Sequence, residues 1–203
     1  MKINNQYIAS LTREPFMFYE MKLTASLLNQ NFSENEIIEK IVRENLYQYP
    51  TERTLRVRAK ACLRRLQYID TDMQQWIETK SIDVAKQICL YALMQDSRLI
   101  REFFITVIGE KYETKDFSYS RDIIKQYFIQ LQEQNEKVAS WSEETIKKLS
   151  SVISNILKDV GYIDDFNSSY LNELLIDYQL KEKIIKNHDT WILPAFNEFG
   201  VKQ

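Results

Sequence analysis

The sequence predicts an all-α fold, a compact bundle of several helices, and three observations support this prediction. Only three glycines and three prolines occur in 203 residues, whereas β-rich and α/β folds need many tight turns built from these residues. Apolar residues recur at intervals of three and four along most of the chain. Side chains that cap helices precede several of these periodic segments. The predicted helices therefore have both a buried face and defined starts.

Three helices are expected in the first third of the chain. Pro15 marks the start of the first, because proline fits the first turn of a helix. Ser33 and Glu36 have the spacing of a capping box, which starts the second. Pro50 and Thr51 precede the third. The expected ranges are about 12–29, 33–45 and 50–69, the last with one apolar stripe through Leu55, Ala59, Cys62, Leu66 and Ile69.

The middle of the chain is also expected to be helical. A short helix surrounds Trp76, and Ser81 caps a longer one that is apolar on more than one side, so we expect it to be central. Ser97 caps the next helix. Gly109 is expected to end that helix, since glycine is common just after the last helical residue.

The last third contains the most regular helical pattern. Ser142 starts this helix, and Gly161 is placed to close it in a left-handed cap. A helix over about 120–134 precedes it, with a loop at 132–137. The later segments are expected to be a loop at 164–169, a helix at 178–187 and a final turn or two at 190–196, with a short strand at 171–176 as an open alternative.

Charge is distributed unevenly along the chain. Residues 1–70 hold 11 basic and 8 acidic residues, whereas the remainder holds 16 basic and 21 acidic. We therefore divide the chain into a basic N-terminal helical part, 1–70, and an acidic C-terminal helical bundle, 71–203. This asymmetry predicts an anionic partner for the first part only.

Six cations of the predicted third helix form a candidate binding surface, called here the basic row. Four of them lie within an arc of about 80°, opposite the apolar stripe, and two flank that arc. Glu52 is the only acidic residue between positions 51 and 65, and the basic row contains five arginines, which clamp phosphates well. The alternative is an ordinary solvated helix face. The basic row consists of Arg53, Arg56, Lys60 and Arg64, flanked by Arg58 and Arg65.

The order of the second helix, a turn and the basic third helix is typical of a helix-turn-helix, although the turn is longer than in the simplest form. No aromatic residues alternate with the arginines. Contact with duplex backbone is therefore favoured over stacking on single-stranded bases.

The residues needed for common enzyme chemistries are scarce. The chain has one histidine, His188, and its three scattered glycines form no phosphate-binding loop. Cys62 and Cys89 lie in apolar helical segments with no disulfide or zinc spacing, so both are expected in the core. We therefore expect no catalytic residues, metal or cofactor. The chain also lacks the pattern of a signal peptide or a membrane span, which predicts a cytoplasmic protein.

Several stretches in order along the chain form one pattern: Ser10-Leu11-Thr12, Glu20, Phe32-Ser33-Glu34, Asn45-Leu46, Arg64-Arg65-Leu66, Ser97-Arg98-Leu99, Phe103, Trp141-Ser142, Lys147-Lys148-Leu149 and Gly161-Tyr162. Together they resemble the BrxA family, small helical proteins of BREX phage-defence systems. The resemblance implies an all-helical fold similar to the NusB antitermination factor, binding of double-stranded DNA with little sequence preference, no enzymatic activity, and action beside other BREX proteins. It covers most of the chain and is weakest after Ile163.

Two other functions remain open at this point. The basic row is also compatible with an adaptor that docks an acidic protein of the same defence complex. RNA binding is the second alternative, suggested only by the expected NusB-like fold, and a fold does not determine function.

Overall fold

A computed structural model describes residues 3–200 of the chain, so the outermost ends of the two predicted parts lie outside the described residues. Within these residues the regular structure is helical, apart from one isolated antiparallel bridge between Ser118 and Tyr170. The prediction of an all-α fold is confirmed. Across the same residues, none of the helices combines the length and apolar character that crossing a membrane requires.

The helices form two packing units. The first contains residues 3–4 and Arg13–Asp96, and the second contains Asn5–Thr12 and residues 97–200. The first unit ends at Asp96 because the helices that follow residue 70 pack on the helices that precede it. The charge boundary drawn at residue 70 is therefore not the packing boundary. Residues 13–96 hold 12 basic and 12 acidic residues, so the first unit has a basic surface only locally.

The first unit is built from five helices. Helix α1 packs on α3 and α4, α2 packs on α3, and α4 packs on α5. Helix α5 is buried on all sides from Gln87 to Asp96, as expected for a central helix, and Cys62 and Cys89 are buried free thiols. The helices are α1 (Phe18–Asn29), α2 (Glu34–Glu44), α3 (Glu52–Leu66), α4 (Thr71–Thr79) and α5 (Ile82–Asp96).

Local capping signals fix the starts of α2 and α3. The Ser33 side chain accepts from the Glu36 amide while the Glu36 carboxylate accepts from the Ser33 amide, which is the predicted capping box. Thr51 accepts from the amide of Thr54 at the start of α3. These two helix starts are confirmed.

The predicted start of the first helix is wrong. Residues Ala9–Thr12 form a 3₁₀ helix, and α1 begins only at Phe18, after Met17 in a left-handed conformation with φ of 56°. The chain between them is not helical. Arg65 of α3 donates hydrogen bonds to the carbonyl oxygens of Glu14 and Pro15, and in a continuous helix these oxygens would instead accept from amides of the helix itself.

The second unit has a longer series of helical segments around an aromatic core. Phe103, Phe104 and Tyr162 are among its largest fully buried side chains, and the rings of Phe104 and Tyr162 pack 5.0 Å apart between centroids. The segments are 3₁₀ Ala9–Thr12, α6 (Arg98–Glu102), a π-helix (Phe103–Gly109), α7 (Glu110–Glu113), α8 (Asp122–Gln134), α9 (Glu136–Ala139), α10 (Glu143–Val160), α11 (Tyr178–Lys186) and 3₁₀ Thr190–Phe196.

Gly109 does not end a helix, contrary to the prediction. Its φ of −60° is helical, and the helix continues through it into α7. A β-carbon at this position would lie 3.0 Å from the Cβ of Pro194 and 3.3 Å from its backbone carbon. Glycine is therefore needed here for the close approach of two segments, not for a left-handed cap.

Two further details of the second unit concern predicted loops and caps. The loop expected at 132–137 is wrong: α8 continues to Gln134, and Asn135 accepts from the amides of Lys137 and Val138 and so starts α9. Ser142 and Gly161, with φ of 98°, cap α10 as predicted. The strand considered at 171–176 is not formed.

Candidate nucleic-acid interface

Helix α3 is oriented by its apolar stripe. Leu55, Ala59 and Leu63 pack in one buried cluster with Leu27 of α1 and with Ile37 and Ile41 of α2. Residues four apart lie on nearly the same side of a helix, so these three side chains form one face. Burial of that face turns the opposite side of α3 outward. The four central residues of the basic row lie on or beside that outward side.

Arg53 and Lys60 are the exposed members of the basic row. Neither has an acidic partner within residues 3–200. They are seven residues apart on one helix face, which separates their Cα atoms by about 10 Å along the axis. The guanidinium of Arg53 and the ammonium of Lys60 are therefore available to an external anion.

Arg56 lies between these two residues along α3 but is not free. Its Nη1 donates to Oε1 of Glu39 on α2 at 2.6 Å. The two side chains are 41% and 65% exposed, so water competes with this ion pair. The hydrogen bond from Arg56 lowers the pKa of Glu39 and keeps that carboxylate charged. A phosphate competes with Glu39 for the same guanidinium.

Arg58 is committed to a contact between α3 and α1. Its Nη1 donates to Oε1 of Glu20 at 3.1 Å, and its guanidinium lies over the ring of Tyr49 at 4.0 Å from the centroid. The Tyr49 hydroxyl also bonds to both charged groups. Burial raises the pKa of Tyr49 to about 12, so its hydroxyl remains protonated. With only 19% of its side chain exposed, Arg58 is a packing residue.

Arg64 is held by two carboxylates at the end of α3. Nε and Nη2 donate to the two oxygens of Asp96 at 2.8 and 3.0 Å, and Nη2 also donates to Glu14 at 2.7 Å. These hydrogen bonds raise the pKa of Arg64. Its side chain is still 37% exposed. The guanidinium of Arg64 is therefore partly accessible to solvent, but the two carboxylates already neutralise its charge.

Arg65 is buried and is removed from the predicted surface. It is 1% exposed, and it donates to the backbone carbonyls of Glu14, Pro15 and Phe16. Its Nε lies 3.4 Å from Asp96. Burial lowers the pKa of its guanidinium. Because no nucleic acid reaches this side chain, its function is to hold the chain before α1 against α3.

The basic row thus separates into two sets of three. Arg53, Arg56 and Lys60 form the open row, which faces solvent. Arg58, Arg64 and Arg65 form the anchored set, which is bound by groups of the same packing unit. Sequence reasoning missed the four carboxylates that bind the row. No local signal identifies them, since they lie 17 to 50 residues away from the arginines they bind; they are Glu14, Glu20, Glu39 and Asp96.

The predicted helix-turn-helix and His188 can also be placed in the structure. Residues 45–51 connect α2 and α3, and Asn45 stands in a left-handed conformation at the end of α2. The helix-turn-helix remains a prediction, since a connection of this length has no single docking geometry. His188 is exposed and follows Asn187, the residue that caps the end of α11. Within residues 3–200 no group of three or more histidine, cysteine or acidic side chains is arranged to hold a metal ion.

Comparison with known sequences identifies relatives of the chain. The BrxA family profile matches residues 5–188. A BREX protein BrxA of Bacillus cereus (strain H3081.97) is 35% identical over 157 residues, which are 77% of this chain and 78% of the relative. A BREX protein BrxA of Paramagnetospirillum magneticum (strain ATCC 700264 / AMB-1) is 23% identical over 86% of this chain and 87% of its own.

Comparison with solved structures supports the fold. A crystal structure of an uncharacterized protein from Magnetospirillum magneticum superposes with a TM-score of 0.79. The alignment covers 94% of this chain and 97% of that one at 22% sequence identity. At this level of identity the likeness shows a shared helical architecture.

Proposed function

The chain belongs to the BrxA family of BREX phage-defence proteins, and from this premise we propose that it is a non-catalytic accessory protein that binds double-stranded DNA. Other BREX proteins are its partners in this proposal. The DNA contact is made with the sugar-phosphate backbone, so little sequence preference is expected. The scarcity of histidine and of phosphate-loop glycines supports a role without catalysis.

The observation that carries this proposal is the open row of α3. Arg53 and Lys60 are exposed cations without an acidic partner in the described part of the chain, and Arg56 between them is bound only by an exposed carboxylate. Like charges three and four residues apart repel each other along a helix. A row of phosphates relieves this repulsion and offers bidentate acceptors to the two guanidinium groups.

The test is duplex binding by the full chain, measured by fluorescence anisotropy. The variant carries Arg53→Ala, Arg56→Ala and Lys60→Ala together. Its matched control carries Lys115→Ala, Lys137→Ala and Lys186→Ala, which remove the same number of exposed charges from the other packing unit. We expect the open-row variant to lose about tenfold or more in affinity at low salt, and the control to lose much less.

Equal losses in the two variants would remove α3 from the interface. Competition with structured RNA of the same length separates DNA binding from the RNA-binding alternative. RNA that displaces the duplex at lower concentration than unlabelled duplex would overturn the choice of DNA.

An adaptor is the second candidate function, and one surface feature favours it. Tyr170, Leu175 and Tyr178 are large apolar side chains with most of their area exposed, and they lie within nine residues of each other. Several exposed apolar side chains in one segment favour a protein contact there. The substitution Leu175→Ser should weaken co-purification with the other BREX proteins and leave duplex binding unchanged if this candidate is correct.

A further inference from the structure

A cavity in the second packing unit has the lining expected of an anion site. It has a volume of about 340 Å³ and lies between the start of α8 and one face of α10. This size is within the range of pockets that bind small ligands. The lining residues are Arg121, Ile124, Lys125, Lys147, Ser150, Ser151, Ser154, Asn155 and Phe166.

The charges of the cavity lining are all positive. Arg121, Lys125 and Lys147 contribute three cations, and no carboxylate lines the cavity. Lys125 and Lys147 make no ion pair within residues 3–200. Three cations that converge without a counter-charge repel each other, and an anion bound among them removes that repulsion.

Arg121 is oriented toward the cavity by its other contacts. Its Nε donates to the backbone oxygen of Phe166 at 3.1 Å, and its guanidinium lies over the Phe166 ring at 5.4 Å from the centroid. The terminal nitrogens are not used in these contacts. Lys158 also lies over this ring, at 4.8 Å, and so adds positive charge beside the cavity.

Two buried hydroxyls lie together beside the cavity. Ser154 lines the cavity but is only 9% exposed, and its Oγ is buried from solvent. This Oγ lies close to the buried hydroxyl of Tyr119, and the contact opposes the rise in the pKa of Tyr119 that burial causes. The two hydroxyls therefore serve each other, and the cations of the lining are the groups that an anion in the cavity would contact.

We propose that this cavity binds a small phosphorylated molecule of nucleotide size. Arg121, Lys125 and Lys147 bind the phosphate oxygens. Ser151 and Asn155 lie on the same face of α10 as Ser154 and are placed for the polar groups of the rest of the ligand. This site lies outside the open row of α3 and does not depend on it.

The experiment is isothermal titration calorimetry of the full chain with inorganic phosphate, with AMP and with a short DNA duplex. AMP is expected to bind saturably at one site and more tightly than phosphate. The double variant Lys125→Ala, Lys147→Ala should bind AMP about tenfold or more weakly, since two charge-assisted hydrogen bonds are lost. Lys148→Ala is the matched control, because its ammonium pairs with Glu144 at 2.8 Å and does not line the cavity.

The proposal is overturned if neither phosphate nor AMP binds saturably, or if the Lys125, Lys147 variant binds AMP as tightly as the wild type. It is equally overturned if that variant weakens duplex binding alone, since the cavity would then serve the DNA backbone.

Discussion

Arg65 is a charged residue whose role is to hold the fold together. Its guanidinium bonds to three backbone carbonyls and approaches Asp96 at 3.4 Å while being 1% exposed. Burial of a charged group is costly unless the group is paired and hydrogen-bonded, and these contacts meet that requirement while they fix the chain before α1. Loss of the side chain leaves these carbonyls without their donor and leaves Asp96 with Arg64 as its cationic partner.

The substitution Arg65→Ala is therefore expected to lower the free energy of unfolding by about 3–5 kcal/mol. Arg65→Lys should recover only part of this loss, since one ammonium does not replace a planar fork of donors. Urea denaturation measures both. Arg53→Ala on the same helix is the control and should stay within about 0.5 kcal/mol of the wild type. Equal effects at positions 53 and 65 would contradict the assignment of Arg65 to the core.

Gly109 provides a second test at the residue scale, because two effects of the same substitution oppose each other. Alanine normally stabilises a helix interior relative to glycine by about 0.5–1 kcal/mol. Here the added β-carbon meets Pro194 at 3.0 Å, and proline in a 3₁₀ helix yields little. Overpacking costs about 1–3 kcal/mol and should win.

Gly109→Ala is accordingly expected to lower the melting temperature. Thr106→Ala, on the exposed side of the same helical segment, is the control and should change it little. A higher melting temperature for Gly109→Ala would mean that Pro194 moves away at no cost.

At the scale of elements, helix starts with local caps were predictable and those with distant partners were not. Ser33, Thr51 and Ser142 cap their helices through contacts within three residues, so the sequence contains the whole signal. The start of α1 depends instead on Arg65, about 50 residues away. The same distinction applies to the basic row. Helical periodicity predicts which side of α3 each cation occupies, but it does not predict which carboxylates of α1, α2 and α5 bind that cation.

The pairing of α2 with α3 leads to a prediction for these two elements together. Glu39 of α2 holds Arg56 of the open row at 2.6 Å, so Glu39→Gln removes a negative charge from the proposed interface and frees the guanidinium. We expect the variant to bind duplex DNA a few-fold more tightly than the wild type at low salt. Glu133→Gln, an exposed acid of the second packing unit, is the matched control. Weaker binding by Glu39→Gln would indicate that Glu39 orients Arg56 for DNA.

At the scale of the whole molecule, the charge pattern along the chain and the charge pattern in space differ. Residues 1–70 are net basic, but the first packing unit extends to Asp96 and holds equal numbers of acids and bases. The chain as a whole has a net charge of −2. Long-range attraction to DNA is therefore weak, and affinity depends on local contacts of the open row. The number of those contacts determines how affinity responds to salt.

This dependence gives a quantitative test of the open row. Six phosphate contacts, one for each member of the basic row, give a slope of log affinity against log salt of about −5. Three contacts, from Arg53, Arg56 and Lys60 alone, give about −3. We expect the wild type to show the smaller slope, because Arg65 is buried and Arg58 and Arg64 are already bound by carboxylates. The Lys115, Lys137, Lys186 control should keep this slope, and the open-row variant should approach zero. A wild-type slope near −5 would require the anchored arginines to leave Glu14, Glu20 and Asp96 on binding, and it would contradict their assignment to the anchored set.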